Sequence, residues 1–166
     1  LVGRQIGGPA KVAVFSSGLY GSISGAPTAD DVTTGSFTVP LMIRTGVPRT
    51  YAAAVEATAS TGGAILPPVM GSAAFLMVDF TGIPYATIIT AAIVPALLYY
   101  LVVFLAVHLR AHKLALAPTV AENAPTLLQV LRRDWLYFVP IAVLVWGVLK
   151  LDRPVFAGAI ACAAIV

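Results

Sequence analysis

The stretch GSISGAPTADDVTTG, residues 21–35, places small, hydroxylated and acidic residues inside a chain of 166 residues that is 59% hydrophobic. Pro27 interrupts the stretch, and two carboxylates, Asp30 and Asp31, follow it. A helix that faces lipid cannot carry such a patch, because hydrocarbon offers no partner for polar groups and leaving each one unsatisfied is costly. We therefore expect these residues to be surrounded by protein, at a point where the chain turns.

The composition fixes the class of protein. Only 10% of the residues are charged, whereas about a quarter are charged in soluble proteins, and the mean hydropathy is +0.93. The run ATIITAAIVPALLYYLVVFLAV, residues 86–107, is long enough to cross a membrane, since a helix needs about 20 residues to span roughly 30 Å of hydrocarbon. The sequence predicts an all-α integral membrane protein.

Charge and cysteine content exclude other classes. The net charge is +3, and the basic residues cluster in short loops, which is typical of membrane topology rather than of nucleic-acid binding. Cys162 is the only cysteine, so neither a disulfide framework nor a cysteine metal site is expected. The chain begins at Leu1 and stops at Val166 inside an apolar run, which favours a fragment of a larger permease.

Residues 1–48 are expected to form a re-entrant helical hairpin. A first apolar helix over residues 9–20 and a second over residues 31–43 are both too short to span a bilayer. Basic residues lie at both ends of the pair: Arg4, Lys11, Arg44 and Arg49. Positive charge marks the cytoplasmic side, so both ends are predicted to face the cytoplasm, with the polar stretch at the tip.

Residues 49–82 predict a discontinuous transmembrane helix. YAAAVEATAS, residues 51–60, and SAAFLMVDF, residues 72–80, have helical character, and TGGAILPPVMG, residues 61–71, separates them. Each proline inside a helix costs about 3 kcal/mol, and such a break persists in a membrane only where protein or a cavity surrounds it.

Three further segments complete the predicted organisation. Residues 83–116 are expected to hold a transmembrane helix followed by a basic cytoplasmic cluster. Residues 117–137 predict a loop and an interfacial amphipathic helix, and residues 138–166 predict a transmembrane helix and the start of the next.

The hairpin tip and the helix break are expected to meet near the bilayer midplane. Both offer free backbone groups, glycines and small hydroxyls. Secondary transporters build their sites from such broken helices, in which carbonyls and helix C-termini bind cations and helix N-termini attract anions.

Two motifs carry a family resemblance. ISGAPTADDVTTGSFTVPLM, residues 23–42, and VEATASTGGAILPPVMGSAAFLM, residues 55–77, resemble the large membrane subunit of tripartite ATP-independent periplasmic (TRAP) transporters, nearest the fused-permease type. The resemblance covers about residues 7–116. It implies an inverted-repeat, elevator-type permease in the inner membrane of a bacterial or archaeal cell. It also implies sodium-driven import of a small organic acid that a periplasmic solute-binding protein delivers, with membrane lipid and the remainder of the same chain as further partners.

The resemblance also implies where sodium binds. The residues that match the family's tip and break are Ser24, Gly25, Thr28, Thr61, Gly62, Gly63 and Pro67. Candidates for substrate binding or coupling are Asp30, Ser60 and Pro68. Sodium is the only ion expected, with no other metal, cofactor or nucleic acid. Asp30 stands where relatives commonly carry Asn or a small residue, and Ala64 where fused permeases often carry Gln.

Several alternatives stay open at this level. Asp30 and Asp31 either bind a cation or a proton, or cap the second hairpin helix. Glu56 either has a structural role, reaching the membrane interface or pairing with Arg44 or Arg49, or is a functional carboxylate within the membrane. An enzyme is not expected, because no nucleophile–base pair is visible. The alternative function is a sodium- or proton-coupled organic-anion carrier of similar architecture that works without a binding protein.

Overall fold

The computed structural model describes residues 7–114, together with residues 116 and 147. This part of the chain forms five α-helices: α1 (Gly8–Ser24), α2 (Pro27–Arg44), α3 (Arg49–Gly63), α4 (Ser72–Thr81) and α5 (Tyr85–Lys113). No strand occurs within the described residues. The helical class is therefore as predicted, whereas the segments expected over residues 117–137 and 138–166 lie outside the described residues.

Helices α1 and α2 form a helical hairpin with a very short tip. Only Gly25 and Ala26 separate them, and Gly25 adopts a left-handed conformation (φ 63°) while its N–H donates to the Gly21 carbonyl at 2.8 Å. This is a common glycine C-cap. The hydroxyl oxygens of Ser17 and Thr34 lie 3.1 Å apart, so α2 returns alongside α1.

The hairpin helices are longer than the sequence predicted. The first continues to Ser24 instead of residue 20, and the second begins at Pro27 instead of residue 31. Proline is favoured at the first helical position because its missing N–H is not needed there. Most of the polar stretch is therefore helical rather than a loop. Ser22 and Asp30 are buried, whereas Ser24, Thr28 and Thr33 are exposed, so the expectation that protein surrounds the whole stretch is met only in part within the described residues.

The predicted break between α3 and α4 is present at residues 64–71. Gly62 and Gly63 still belong to α3, and the chain then tightens, since the N–H groups of residues 64, 65 and 66 each donate to the carbonyl three residues earlier. Pro67 and Pro68 have no N–H to donate and cannot extend this ladder. Helix α4 resumes at Ser72 after an extended Gly71.

Helix α5 has 29 residues and is the only helix in the described part of the chain that is long and apolar enough to cross a membrane. The basic residues Arg110, His112 and Lys113 lie in its last turn. The helix therefore continues past the span expected over residues 86–107 and includes the basic cluster, whose cationic side chains are favourable at a helix C-terminus. The cytoplasmic location of this cluster stays a prediction.

Small side chains allow the helices to approach closely around α3. A Cβ atom placed on Gly63 would lie 2.5 Å from the Cα of Gly21, so the backbones of α1 and α3 touch there. The Tyr99 and Tyr100 hydroxyls donate to the carbonyls of Thr58 and Ala59, both at 2.8 Å, and attach α5 to the same end of α3. The main apolar cluster is built from α1, α2, α3, α5 and the turn between α2 and α3: Ala10, Ala13, Val14, Met42, Val47, Ala52, Val55, Ala59, Val103 and Val107.

The close approach of α1 and α3 gives a stability prediction. Gly63→Ala should lower the free energy of unfolding by about 1–3 kcal/mol, the usual cost of overpacking, because the new methyl group would meet the Gly21 backbone. Thermal unfolding of the purified full-length permease in detergent measures this. Ala53→Ser changes an exposed position of α3 and should stay within about 0.5 kcal/mol; equal losses in both variants would contradict the packing argument.

Candidate functional site

The hairpin tip lies directly on the break between α3 and α4. The Val69 N–H donates to the Ser22 carbonyl at 3.0 Å. A Cβ atom placed on Gly25 would overlap the Met70 carbonyl oxygen, and one placed on Gly71 would lie 3.2 Å from the Gly25 carbonyl oxygen. The two interruptions are in contact, as the sequence predicted, while their depth in the membrane stays a prediction.

Four helix ends converge at this contact. Helices α1 and α3 end there, and α2 and α4 begin there. A helix C-terminus carries a partial negative charge and its N-terminus a partial positive charge, each equivalent to roughly half an elementary charge. The contact therefore offers two ends that favour a cation and two that favour an anion.

Asp30 is the acidic group of this site. It lies in the first turn of α2 and is 0% exposed. The Ser24 hydroxyl donates to its Oδ1 atom, whereas Oδ2 is buried with no hydrogen-bond partner within the described residues. A buried carboxylate oxygen without a donor is costly, so this atom calls for a cation or a proton.

The alternative in which Asp30 or Asp31 caps α2 was wrong. The helix begins at Pro27, its N-cap residue is Ala26, and no side chain makes a capping hydrogen bond there. Asp30 still benefits from the positive end of the helix dipole, because it lies in the first turn. Its neighbour Asp31 is half-buried.

The remaining tip residues are accessible. Ser24 is exposed, and its Oγ atom accepts the Ala26 N–H at 3.1 Å. Thr28 is exposed on the first turn of α2, and Gly25 is half-buried against the break. Gly25 therefore lies at the contact, Ser24 precedes it and bonds to Asp30, and Thr28 is exposed one residue after the start of α2.

The residues predicted from the break face different neighbours. Gly63 faces the hairpin at Gly21, whereas a Cβ atom on Gly62 would lie 2.5 Å from the Tyr99 ring, so that glycine faces α5. The exposed Thr61 hydroxyl donates to the Ala57 carbonyl at 2.7 Å. Ser60 is buried with its hydroxyl 3.5 Å from the Glu56 carboxylate.

The proline pair belongs to the break itself. Pro67 and Pro68 are half-buried. The Tyr85 hydroxyl lies 3.5 Å from the Pro68 carbonyl and donates to the Val69 carbonyl. Tyr85 stacks on Phe75 with ring centroids 5.1 Å apart, so the start of α5 holds the break in place. Sequence reasoning missed Tyr85, because nothing local distinguishes it from a residue of the aromatic belt.

Sequence reasoning also missed the environment of Glu56. The residue is 1% exposed, and its partners are the hydroxyls of Ser17, Thr34, Thr38 and Ser60. The expectation that it reaches the interface and pairs with Arg44 or Arg49 was wrong, because the small residues around it bring three helices together over its carboxylate. The sequence did contain a signal for this environment: Thr34 and Thr38 share one face of α2, and Ser60 lies one turn after Glu56 on α3.

Two curated relatives share part of this sequence. The chain is 27% identical over 148 residues to the C4-dicarboxylate TRAP transporter large permease protein DctM of Pseudomonas aeruginosa strain PAO1, covering 89% of this chain and 32% of that protein. It is 32% identical over 95 residues to the uncharacterized protein y4mL of Sinorhizobium fredii strain NGR234, covering 57% of this chain and 22% of that protein. The chain thus spans about a third of the first relative and about a fifth of the second. No solved structure matches it significantly.

The match to a family is broader than either relative. The model of the tripartite ATP-independent periplasmic transporter, DctM component, matches residues 1–166. This range includes the hairpin, the break and α5, and so contains every residue of the contact described above. The chain belongs to the DctM family of tripartite ATP-independent periplasmic transporter components.

Proposed function

We propose that this chain is part of a membrane permease that imports a small organic acid by sodium-coupled secondary transport. The family is a membrane-embedded transporter family, which supports transport rather than catalysis. The contact between the hairpin tip and the break is the observation that carries the proposal, because it places oxygen ligands and helix ends of both polarities at one point.

The cation half of the proposal rests on Asp30. Its Oδ2 atom is buried without a partner among the described residues, and the carbonyl oxygens of Gly25 and Met70 lie at the same contact. Sodium prefers hard oxygen ligands, and the C-termini of α1 and α3 favour a positive charge. We propose that sodium binds between Asp30 and these carbonyls, with Ser24 as a further ligand.

The substrate half of the proposal rests on the two helix N-termini. The first turns of α2 and α4 direct positive dipole ends toward the contact, and in transporters such ends attract carboxylates. Thr28 is exposed on the first turn of α2. The P. aeruginosa relative is named for C4-dicarboxylates, and we propose that class of substrate for the full-length protein, delivered by a periplasmic solute-binding protein.

The membrane arrangement belongs to the same proposal. The hairpin enters the membrane and returns, the full-length protein supplies a second, inverted repeat with its own hairpin, and a transport domain that carries the hairpins moves against a scaffold like an elevator. A carrier that works without a binding protein is the second candidate. Proton coupling is a variant that the unpartnered Asp30 oxygen supports, since a bound proton would also relieve its burial.

Sodium coupling predicts a simple outcome. The full-length permease in proteoliposomes, with its binding protein, should accumulate labelled succinate when sodium is higher outside, and should lose nearly all accumulation when choline replaces sodium. The physical reason is that secondary transport draws its free energy from the ion gradient. If accumulation is unchanged in choline but is lost when a pH gradient is collapsed, the coupling ion is a proton and not sodium.

The role of Asp30 predicts a difference between neighbouring carboxylates. Asp30→Asn should raise the sodium concentration for half-maximal uptake by about tenfold or more, the factor that corresponds to 1.4 kcal/mol of lost binding. Asp31→Asn is the matched control, because Asp31 is half-buried beside it, and it should change this value little. Equal sodium dependence in the wild type and Asp30→Asn would contradict the site. An altered pH profile in that variant would instead support proton binding.

A further inference from the structure

We propose that Glu56 is a positioning residue that holds the α1–α2 hairpin on α3 and so sets the tip against the break. The inference rests on the proposed function of the tip as a sodium site, and it assigns a role to a carboxylate outside that site. We call Glu56 with the hydroxyls of Ser17, Thr34, Thr38 and Ser60 the hydroxyl clasp.

The hydroxyl clasp connects three helices through one side chain. The Oε1 atom of Glu56 accepts from Ser17 of α1 at 2.6 Å and from Thr34 of α2 at 2.5 Å. Its Oε2 atom accepts from Thr38 of α2 at 2.5 Å. Each oxygen of a single α3 carboxylate is thus bonded to the hairpin, and no other side chain in the described residues bonds to both hairpin helices in this way.

The backbone makes room for this arrangement. A Cβ atom placed on Gly35 would lie 3.1 Å from the Cγ atom of Glu56. Glycine at that position therefore lets the Glu56 stem lie flat against α2, between the turns that carry Thr34 and Thr38. A larger residue would push the carboxylate away from its donors.

The energetics favour a firm connection. Hydrogen bonds from hydroxyl groups to a carboxylate are charge-assisted and stronger than those between neutral groups. A carboxylate is costly to bury, but three or four donors repay much of that cost. Removing it takes from Ser17, Thr34 and Thr38 their acceptor on α3. The two threonine hydroxyls still have carbonyl acceptors in their own helix, at 2.8 and 2.9 Å, but both hairpin helices lose their polar attachment to α3 at once.

The connection acts on the tip through the rigid hairpin. Ser17 lies seven residues before Ser24 at the end of α1, which is about 10 Å along a helix at 1.5 Å per residue. The backbone of the tip contacts the break at two points: Ser22 accepts from the Val69 N–H, and Gly25 lies against Met70. A hairpin released from Glu56 would populate its docked position less, and the apparent sodium affinity would fall in proportion to that population.

Cross-linking tests the position of the tip without reference to sodium. The full-length permease, with every native cysteine including Cys162 replaced by alanine, would carry Ser22→Cys and Val69→Cys, whose backbones are hydrogen-bonded at 3.0 Å. Because the rate of disulfide formation follows the population of the docked hairpin, we expect Glu56→Ala to slow it in sodium-free buffer, by about tenfold if the hairpin is then docked about a tenth of the time. Asp79→Asn removes an exposed carboxylate of α4 and should leave the rate unchanged.

Transport kinetics supply the second measurement. On a background without the added cysteines, Glu56→Ala should raise the sodium concentration for half-maximal succinate uptake and the maximal rate should recover at high sodium. Glu56→Gln, which keeps the shape and one acceptor, should lie between Glu56→Ala and the wild type. Unchanged cross-linking together with unchanged sodium dependence in Glu56→Ala would overturn the proposal.

The two proposals can fail separately. If uptake needs no sodium, the proposed function fails, while slower cross-linking in Glu56→Ala still supports the hydroxyl clasp. If Glu56→Ala does not fold, Thr38→Val removes one donor and tests the same connection, with Thr33→Val as its control on the exposed face of α2. If Thr38→Val then cross-links as fast as Thr33→Val and the wild type, the proposed role of Glu56 is overturned.

Discussion

Gly25 at the hairpin tip lies directly against Met70 in the break, and this close approach limits how the helices on either side can be arranged. It is a contact of backbone with backbone, because a Cβ atom on Gly25 would overlap the Met70 carbonyl oxygen. Gly25 also adopts a positive φ of 63°, which glycine tolerates without strain. The short hairpin turn, the early start of α2 at Pro27 and the tightened end of α3 all serve to bring these two points together.

Two buried carboxylates lie within this arrangement, and their surroundings differ in kind. Glu56 accepts hydrogen bonds from hydroxyls of α1, α2 and α3, so its burial is compensated and its effect is to join helices. Asp30 has one oxygen bonded to Ser24 and another without a partner in the described residues. A satisfied carboxylate stabilises a structure, whereas an unsatisfied one favours a bound cation or proton. For this reason we assign Glu56 a role in positioning the hairpin and Asp30 a role in binding an ion.

Aromatic side chains of α5 complete the support of the contact. Tyr85 bonds to the Val69 carbonyl in the break, and Tyr99 and Tyr100 bond to carbonyls near the end of α3. The Val69 carbonyl lies in the break, outside any helix, so the Tyr85 hydroxyl satisfies a group that lipid could not. Thr58 and Ala59 lie within α3, where the other two tyrosines attach α5 to it. The long apolar helix is therefore also a scaffold that fixes the broken one, and Gly62 is needed where the tyrosine rings lie against it.

The sequence by itself determined the helical membrane class, the hairpin, the break at the proline pair and the meeting of the two, because hydropathy, proline chemistry and glycine content are local properties. Helix ends were misplaced by a few residues, since Pro27 starts a helix as readily as it interrupts one. Only the tertiary structure decided that Glu56 lies inside a group of hydroxyls rather than beside Arg44 or Arg49, and that Gly62 faces α5 while Gly63 faces the hairpin. Those outcomes depend on which faces of separate helices meet, and that is set by packing across the whole fold.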